Sequence, residues 1–395
     1  MEKRVPELRF PGFEGAWEEE RLIQIATIER GKFSPRPRNN PIYYGGDIPF
    51  VQTGDVVNSN GLVDSYTQTL NKKGLLVSKL FSAGTILITI AANIGYTGII
   101  TMDMACPDSL IGIKCRKGIN NVFLNTLFQM EQPRMDYLAE AAAQKNINIE
   151  FLKPYRFRIP PLPEQIRIAT FLTAVDKRIA LLQKKKEALE QYKKGVMQKL
   201  FTLDADGRPS LRFKDDNGQD YPPWEDKEIG EVFQVTRGNV LSINRVRQNE
   251  DLEFKYPVYS SQTKSKGLMG YYNEFLYENA ITWTTDGANA GDVKFRSSKF
   301  YCTNVCGVLL NSDGYANQCI AEMLSRITYK YVSYVGNPKL MNGVMAKIRI
   351  SFPSPLEQQK IASFLSSIDI CIEKLGVQID ASKEWKKGLM QRMFV

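Results

Sequence analysis

The chain has 395 residues, of which 43% are hydrophobic and 11% aromatic, so it can bury real cores, global disorder is not expected, and two or three domains are. Its formal net charge of +9 favours an anionic partner, most often a nucleic acid, although charge alone fits an ordinary basic protein equally well. The sequence contains no histidine, which excludes Ser-His-Asp and Cys-His nucleophile systems and any histidine-ligated metal site.

The first residues, MEKRVPELRFPGFEGAWEEE, contain no apolar stretch of the kind that a secretory signal requires. The least polar run, GTILITIAANIGYTGII (84–100), is short and rich in Gly, Asn and Thr, so it predicts a buried pair of strands rather than a membrane span. Only Cys302 and Cys306, among six cysteines, lie close together, and no second pair completes a zinc site. We therefore predict a cytoplasmic protein with reduced cysteines and no membrane partner.

Residues 1–158 predict the first of two α/β domains. TILITI (85–90) is typical of a strand, and NVFLNTLFQMEQPR (121–134) predicts a helix late in the domain. The loop RGKFSPRPRNN (30–40) gathers four cations on a segment stiffened by proline, and such residues suit phosphates and guanine edges. The alternative is an ordinary solvated loop. The candidate DNA contacts in this loop are Arg30, Lys32, Arg36 and Arg38.

Residues 159–201 predict a long spacer helix, introduced by the rigid segment IPPLP (159–163). Apolar residues recur at spacings of four and three, as in the a/d seam of a coiled coil, with Lys186 and Lys193 interrupting the seam. Residues 202–223 are expected to be a linker.

Residues 224–350 predict the second domain, with strands at VFQVTRG (232–238) and NAITWTT (279–285) and a helix at NQCIAEMLSRI (317–327). Two polar loops, 236–249 and 257–267, carry residues suited to phosphates and base edges. The candidate DNA contacts here are Arg237, Asn239, Arg245, Arg247, Tyr259, Gln262, Lys264 and Lys266.

Residues 351–395 predict a second spacer helix, whose start, SPLE (354–357), has the form of a capping box. This segment repeats the first spacer. Residues 164–201 and 357–394 align without a gap, and 16 of 38 positions are identical. Shorter echoes open each half: ELRF (7–10) returns as SLRF (210–213), Trp17-Glu18 as Trp224-Glu225, and Arg30-Gly31 as Arg237-Gly238.

A repeat of this period indicates domain duplication, and each helix exposes an apolar seam that needs a partner. We predict that the two helices pair within the chain as an antiparallel coiled coil related by a pseudo-two-fold axis. The alternative is that each helix pairs with another protein. The predicted interface comprises Ile168, Leu172, Val175, Ile179, Leu182, Leu189, Ile361, Leu365, Ile368, Ile372, Leu375 and Ile379.

Catalytic motifs are incomplete throughout the sequence. NPIY (40–43) has Ile42 where an amino-methyltransferase motif requires a second proline, and PDSLIGIK (107–114) has Gly112 where a nuclease core requires an acid. No GxxxxGK[ST] phosphate loop occurs. The chain is therefore expected to bind rather than to catalyse.

Taken together, PPLPEQIRIATFL and SPLEQQKIASFL at the helix starts, KKGVMQKLF and KKGLMQRMF at their ends, and PELRFPGF at the front resemble the specificity subunit of a Type I restriction–modification enzyme. IPFVQTGDV (48–56) and YSSQTKSKGLMGYY (259–272) resemble that family's target-recognition domains. The first of these stretches adds Gln52 as a candidate DNA contact.

The resemblance implies that each domain recognises one half of a split, non-palindromic site on double-stranded DNA. It further implies that the helix pair sets the gap and docks two adenine methyltransferase subunits, which two restriction/translocase subunits join. S-adenosylmethionine, ATP and Mg would belong to those partners, and this chain would bind no cofactor. The alternatives are a stand-alone DNA methyltransferase or nuclease and a coiled-coil scaffold that does not bind DNA.

Overall fold

The computed structural model describes residues 5–91, 93–141, 146–261 and 264–395. The chain divides into two compact units, one formed by residues 1–181 with 380–395 and the other by residues 182–379. Each unit therefore contains the beginning of one long helix and the end of the other.

The first unit holds a five-stranded sheet of order β2-β10-β7-β8-β4, a four-stranded sheet of order β5-β3-β9-β6 and the antiparallel pair β1-β11. Its strands are β1 (Glu18–Arg21), β2 (Ala26–Arg30), β3 (Tyr44–Phe50), β4 (Leu62–Val63), β5 (Gln68–Leu70), β6 (Lys79–Phe81), β7 (Ile86–Thr89), β8 (Thr97–Ile100), β9 (Met104–Cys106), β10 (Leu110–Cys115) and β11 (Arg156–Ile159). Its helices are α1 (Leu22–Ile25), α2 (Thr53–Val57), α3 (Lys72–Leu76), α4 (Asn121–Ala141), α5 (Ile149–Leu152) and the first part of α6 (Leu162–Phe201).

The second unit holds a six-stranded sheet of order β13-β18-β16-β17-β14-β15 and the antiparallel pair β12-β19. Its strands are β12 (Glu225–Glu228), β13 (Gln234–Arg237), β14 (Tyr256–Tyr259), β15 (Leu268–Tyr272), β16 (Tyr277–Thr284), β17 (Val293–Cys302), β18 (Cys306–Leu310) and β19 (Arg349–Phe352). Its helices are α7 (Ile229–Val232), α8 (Gln318–Ser325), α9 (Asn342–Ala346) and the first part of α10 (Pro355–Met393).

A set of contacts that we call the frame joins the N-terminal segment of the first unit to the start of α6. It encloses the residues between β1 and β11, which we call the block. Strand β1 pairs with β11, which immediately precedes the long helix. Arg9 donates from Nε and Nη2 to the two oxygens of Glu164, at 2.8 and 2.7 Å, and Glu164 is only 1% exposed. A buried carboxylate is stable only with a partner, so this ion pair fixes the N-terminal segment against the start of α6.

The second unit repeats the frame with its own residues. Strand β12 pairs with β19, and Arg212 donates to Glu357 at 2.9 and 2.8 Å. The indole Nε1 of Trp224 adds a third bond to Glu357 at 3.1 Å. Arg212 lies in the segment predicted as a linker, so residues 202–223 are part of the frame.

The glutamine that follows each buried glutamate makes a further hydrogen bond that is repeated in the two units. Gln165 donates to the carbonyl of Pro160 at 2.8 Å, and Gln358 donates to the carbonyl of Pro353 at 2.7 Å. Both glutamines are about as buried as the glutamates, at 1% and 0% exposure. The repeated Glu-Gln dipeptide therefore supplies each unit with two buried polar side chains, and both are hydrogen-bonded at the start of the long helix.

The long helices are antiparallel, as predicted. In the first unit Leu172, near the start of α6, shares a core with Met393, near the end of α10, and in the second unit Leu200 shares a core with Ile361. The mixed α/β fold with two domains and an antiparallel helix pair confirms the predicted fold class.

Two lysines that interrupt the apolar seam have carboxylate partners on the facing helix. Lys386 donates to Asp176 at 2.7 and 2.8 Å in the first unit, and Lys193 donates to Asp369 at 2.8 and 2.9 Å in the second. Both aspartates and both lysines are related by the same offset of 193 residues. The duplication therefore preserves a reciprocal charge pair that is compatible with the antiparallel arrangement.

The structure places the predicted seam residues at two levels of burial. Those that are buried are Ile168, Leu172, Val175, Ile179, Ile361, Leu365, Ile368, Leu375 and Ile379. Leu182, Leu189 and Ile372 are half-buried.

Three predicted boundaries differ from the observed elements. The boundaries at 158/159 and 350/351 fall inside β11 and β19, because the helices begin only at Leu162 and Pro355. Helix α4 continues seven residues beyond the predicted end at 134, although Pro133 lies inside it. Packing outweighs the proline here, since Met135 and Ala139 beyond it are buried in the core of the first unit.

The buried frame predicts a large effect of Glu357→Ala. Removal of the carboxylate leaves Arg212 facing a buried site without its partner. The free energy of unfolding should therefore fall by about 3 kcal/mol. This value is at the lower end for a broken buried ion pair, because Arg212 is 21% exposed. Urea unfolding followed by circular dichroism measures the loss.

The matched control is Glu190→Ala on α6, whose carboxylate is 50% exposed and lies 3.8 Å from Lys186. This substitution should change unfolding free energy by less than about 0.5 kcal/mol. Equal losses for the two variants would contradict the role assigned to the Arg212–Glu357 pair.

Candidate nucleic-acid interface

The predicted basic loop of the first unit begins where β2 ends, and it is held close to the chain after β9. The amide of Gly31 donates to the carbonyl of Leu110 at 2.9 Å, and that of Lys32 donates to the carbonyl of Cys106 at 2.9 Å. A Cβ atom at Gly31 would lie 2.1 Å from the carbonyl oxygen of Pro107, so only glycine fits.

The second unit uses the same device. Gly238 follows β13, and a Cβ atom there would lie 2.2 Å from the carbonyl oxygen of Cys302. The Arg-Gly dipeptide that opens both predicted DNA loops therefore combines an exposed arginine, Arg30 or Arg237, with a glycine required by close backbone approach. Both loops therefore begin with the same Arg-Gly turn.

Asp108 gathers the predicted cations of the first loop. Arg38 donates from Nη2 to both Asp108 oxygens at 2.8 Å, and Arg36 lies 4.0 Å from the same carboxylate. Arg30 donates from Nε to the backbone carbonyl of Asp108 at 2.7 Å. Lys32 is exposed on the same loop. Sequence reasoning missed Asp108, because 70 residues separate it from Arg38 and only the fold brings them together.

Gln52 precedes helix α2, and its backbone amide donates to Asp55 Oδ2 at 2.7 Å. Its side chain lines a cavity of about 550 Å³ together with Arg38. The fold therefore joins Gln52 to the basic loop, although the two are well separated in sequence.

Two of the predicted arginines of the second unit, Arg245 and Arg247, lie against aromatic rings. The guanidinium of Arg245 lies 5.1 Å from the ring centroid of Tyr272 and donates to its hydroxyl, and that of Arg247 lies 4.7 Å from the Phe254 ring. Such cation–π contacts orient a guanidinium without neutralising it. Asn239 is exposed, and its backbone amide donates to the carbonyl of Cys302 at 3.1 Å.

Arg296 on β17 is a further cation that sequence reasoning missed. Its guanidinium lies 3.6 Å from the ring centroid of Tyr259, which is one of the predicted contacts. It donates to Thr282 Oγ1 at 3.1 Å and to the carbonyl of Lys266 at 2.9 Å. Burial lowers the pKa of Arg296. Arg296 thus links Tyr259 to the turn that carries Lys266.

The remaining predicted contacts lie in or next to that turn. Lys264 begins a 3-10 turn, Lys264–Gly267, and Lys266 is exposed with a φ of 55°. Gln262 lies outside the described residues.

The described residues contain no cluster of His, Cys, Asp and Glu that could hold a metal ion. All six cysteines are free, and burial raises the pKa of Cys306 to about 11 and that of Cys115 to about 12. Of the helices in the described ranges, none is both long and apolar enough to cross a membrane.

Comparison with known proteins identifies both halves of the chain. A family model described as the type I restriction modification DNA specificity domain matches residues 14–191 and again residues 222–381. The putative type I specificity subunit S.MpnORF285P of Mycoplasma pneumoniae is 34% identical over 170 residues, which are 42% of this chain and 54% of that protein. The chain thus spans about half the length of this relative.

Two further similarities cover different extents. The N-terminus of the putative type I specificity subunit S.MpnORF289P of Mycoplasma pneumoniae is 38% identical over 143 residues, which are 35% of this chain and 75% of that protein. The crystal structure of the Type-I restriction-modification system S subunit from M. genitalium matches with a TM-score of 0.68 at 17% identity, over 99% of each chain. At that identity the match shows the fold alone.

The contacts of Asp108 predict that Asp108→Asn strengthens binding to duplex DNA of unrelated sequence. The substitution removes the carboxylate that competes with phosphate for Arg38. Each additional phosphate contact should steepen the slope of log affinity against log salt by about 0.9. Fluorescence anisotropy over a series of salt concentrations measures both quantities. Asp64→Asn, at an exposed position away from the loop, makes the same charge change, and an equal effect in both variants would contradict this role of Asp108.

Proposed function

The chain belongs to the family of type I restriction–modification DNA specificity proteins, and from that premise we propose that it gives such a complex its DNA sequence specificity by recognising a bipartite, non-palindromic target. Each unit would recognise one half-site through the loop that follows its Arg-Gly dipeptide. The cytoplasmic location predicted from the sequence is part of this proposal.

The observation that carries the proposal is that one chain contains two matches to the specificity domain, each built on the same frame around a different block. The frame residues repeat, as in Arg9–Glu164 and Arg212–Glu357. The blocks do not: the first unit places Asp108 against its arginines, whereas the second places Tyr272 and Phe254 there. Because different side chains surround the arginines of the two loops, the two units should favour different half-sites. The target would then lack two-fold symmetry.

The long helices support a role in spacing. Helix α6 has 40 residues and α10 has 39. At about 1.5 Å per residue each is about 60 Å long, which exceeds the 34–36 Å of one turn of B-DNA. We propose that this paired element sets the number of base pairs between the half-sites.

The proposal assigns catalysis to partner subunits. Two methyltransferase subunits would dock on the helix pair, and two restriction/translocase subunits would join them, supplying the sites for S-adenosylmethionine, ATP and Mg. The incomplete methyltransferase and nuclease motifs of the sequence support a chain without catalysis of its own.

The decisive experiment compares N6-methyladenine across the genome in cells with and without the gene. We expect one bipartite adenine mark to disappear, because the other subunits would lose their guide to the site. An unchanged methylome would favour a scaffold without a DNA role. Incubation of the purified chain alone with S-adenosylmethionine and DNA is the companion assay, and methyl transfer there would contradict a non-catalytic subunit.

The spacing role predicts the effect of adding one heptad to each helix, after Gln183 and after Gln378. Equal additions keep both Lys–Asp pairs in register, because each helix grows by the same length. Seven residues add about 10 Å, so the gap should grow by about three base pairs at ~3.4 Å each, with both half-sites unaltered. Methylome sequencing of cells carrying the variant measures the gap.

The control carries the heptad in one helix only, after Gln183. It breaks the match between the two helices and should abolish recognition. A changed half-site with an unchanged gap in the double insertion would contradict the spacing role.

A further inference from the structure

The first unit contains a cavity that the recognition of an intact duplex does not require. Its volume is about 550 Å³, within the range of roughly 300–1,000 Å³ that is usual for small-molecule sites. It lies beside the basic loop, since its lining includes both Arg38 from that loop and Gln52 from the start of α2.

The cavity wall is aromatic. Phe33, Tyr44 and Phe50 line it, and their ring centroids lie 5.0 Å apart for Phe33–Phe50 and 5.8 Å apart for Phe33–Tyr44. The Tyr44 hydroxyl donates to the carbonyl of Arg38 at 2.6 Å, which ties this wall to the basic loop. Phe33 and Phe50 are only 3% and 2% exposed, whereas Tyr44 is half-buried, so Tyr44 offers the ring on which another ring can stack.

A buried donor without a partner also lies at the cavity. The side-chain Nε2 of Gln52 is buried and has no hydrogen-bond partner among the described residues. Buried amides are normally paired, so this unmatched donor is available to an acceptor that enters the cavity. Gln68 and Asn39 add further amides to the lining.

These features together select one ligand class. A ring-stacking surface suits a flat heterocycle, an amide suits the hydrogen-bonding edge of a base, and a guanidinium at the cavity suits the adjoining phosphate. The edge of a base pair lies at the floor of a DNA groove, where only a projecting group reaches it. A base inside the duplex presents only its edge, so it can stack on Tyr44 only after it has left the base stack.

We propose that this cavity binds one extrahelical nucleobase of the DNA target, with the base stacked on Tyr44 and its edge accepting a hydrogen bond from Gln52. This inference rests on the proposed function, because it requires that the first unit meets duplex DNA. It adds a second mode of recognition to the loop contacts, since the cavity would contact the base away from the helix.

The test measures binding of the full chain to duplexes that carry its target, once the methylome has identified that target. In a series of duplexes each base of the first half-site is placed opposite an abasic site, so that one base is already unpaired. The cost of extrusion is then reduced, and one member of the series should bind on the order of tenfold more tightly than the intact duplex. Fluorescence anisotropy gives the affinities.

Two variants assign that gain to the cavity. Gln68→Trp places an indole at the exposed lining position and should remove the gain, and Gln52→Met keeps the side-chain length without the amide and should reduce it. Ser65→Trp, at an exposed position three residues earlier that does not line the cavity, should retain the full gain.

The outcomes separate this inference from the proposed function. A gain that persists in Gln68→Trp, or no gain at any position while the intact target binds well, would overturn the cavity assignment and leave the proposed function standing. Failure to bind the intact target would count against the proposed function itself.

Discussion

A buried arginine–carboxylate pair at the start of each long helix is the contact on which the rest of the structure depends. Glu164 and Glu357 are at most 1% exposed, so each must have a cationic partner. Arg9 and Arg212 reach them across 155 and 145 residues. Each pair joins the front of a unit to its helix, and the enclosed block can then vary without loss of the frame. One scaffold can thereby hold two different recognition surfaces.

The local and periodic features of the fold were predictable from sequence. The heptad seam indicated both long helices, and Ser354 does lie before a helix that begins at Pro355, with the amide of Glu357 3.4 Å from its hydroxyl. Contacts across long separations were not predictable. The sequence shows that Glu164 repeats as Glu357, but not that an arginine far upstream makes each glutamate necessary. Asp108 was likewise hidden, because no local pattern connects it with Arg38.

The two units hold their exposed arginines by different physical means, and this difference bears on how each would meet DNA. Both oxygens of Asp108 accept from Nη2 of Arg38, so a phosphate that approaches this guanidinium would compete with the carboxylate. Aromatic rings orient Arg245 and Arg247 but leave their charge available. Binding of DNA by the first loop would therefore include a small cost for loosening this exposed ion pair. The second loop should therefore attract phosphate more directly.

The frame shows the reverse contrast: there the second unit uses a carboxylate contact for its tryptophan, whereas the first unit uses aromatic packing. Trp224 donates its indole N–H to Glu357, whereas the Nε1 of Trp17 is buried without a partner in the described part of the chain. Trp17 instead packs edge-on against Phe123 and Phe394. The second frame thus gains a hydrogen bond to a buried charge, while the first relies on aromatic packing supplied partly by Phe394, just after the end of α10. Met393 and Phe394 are both part of the first unit's core. The first unit therefore depends on the segment that ends α10, and the pairing of the long helices is a condition for its core as well as for the proposed spacing.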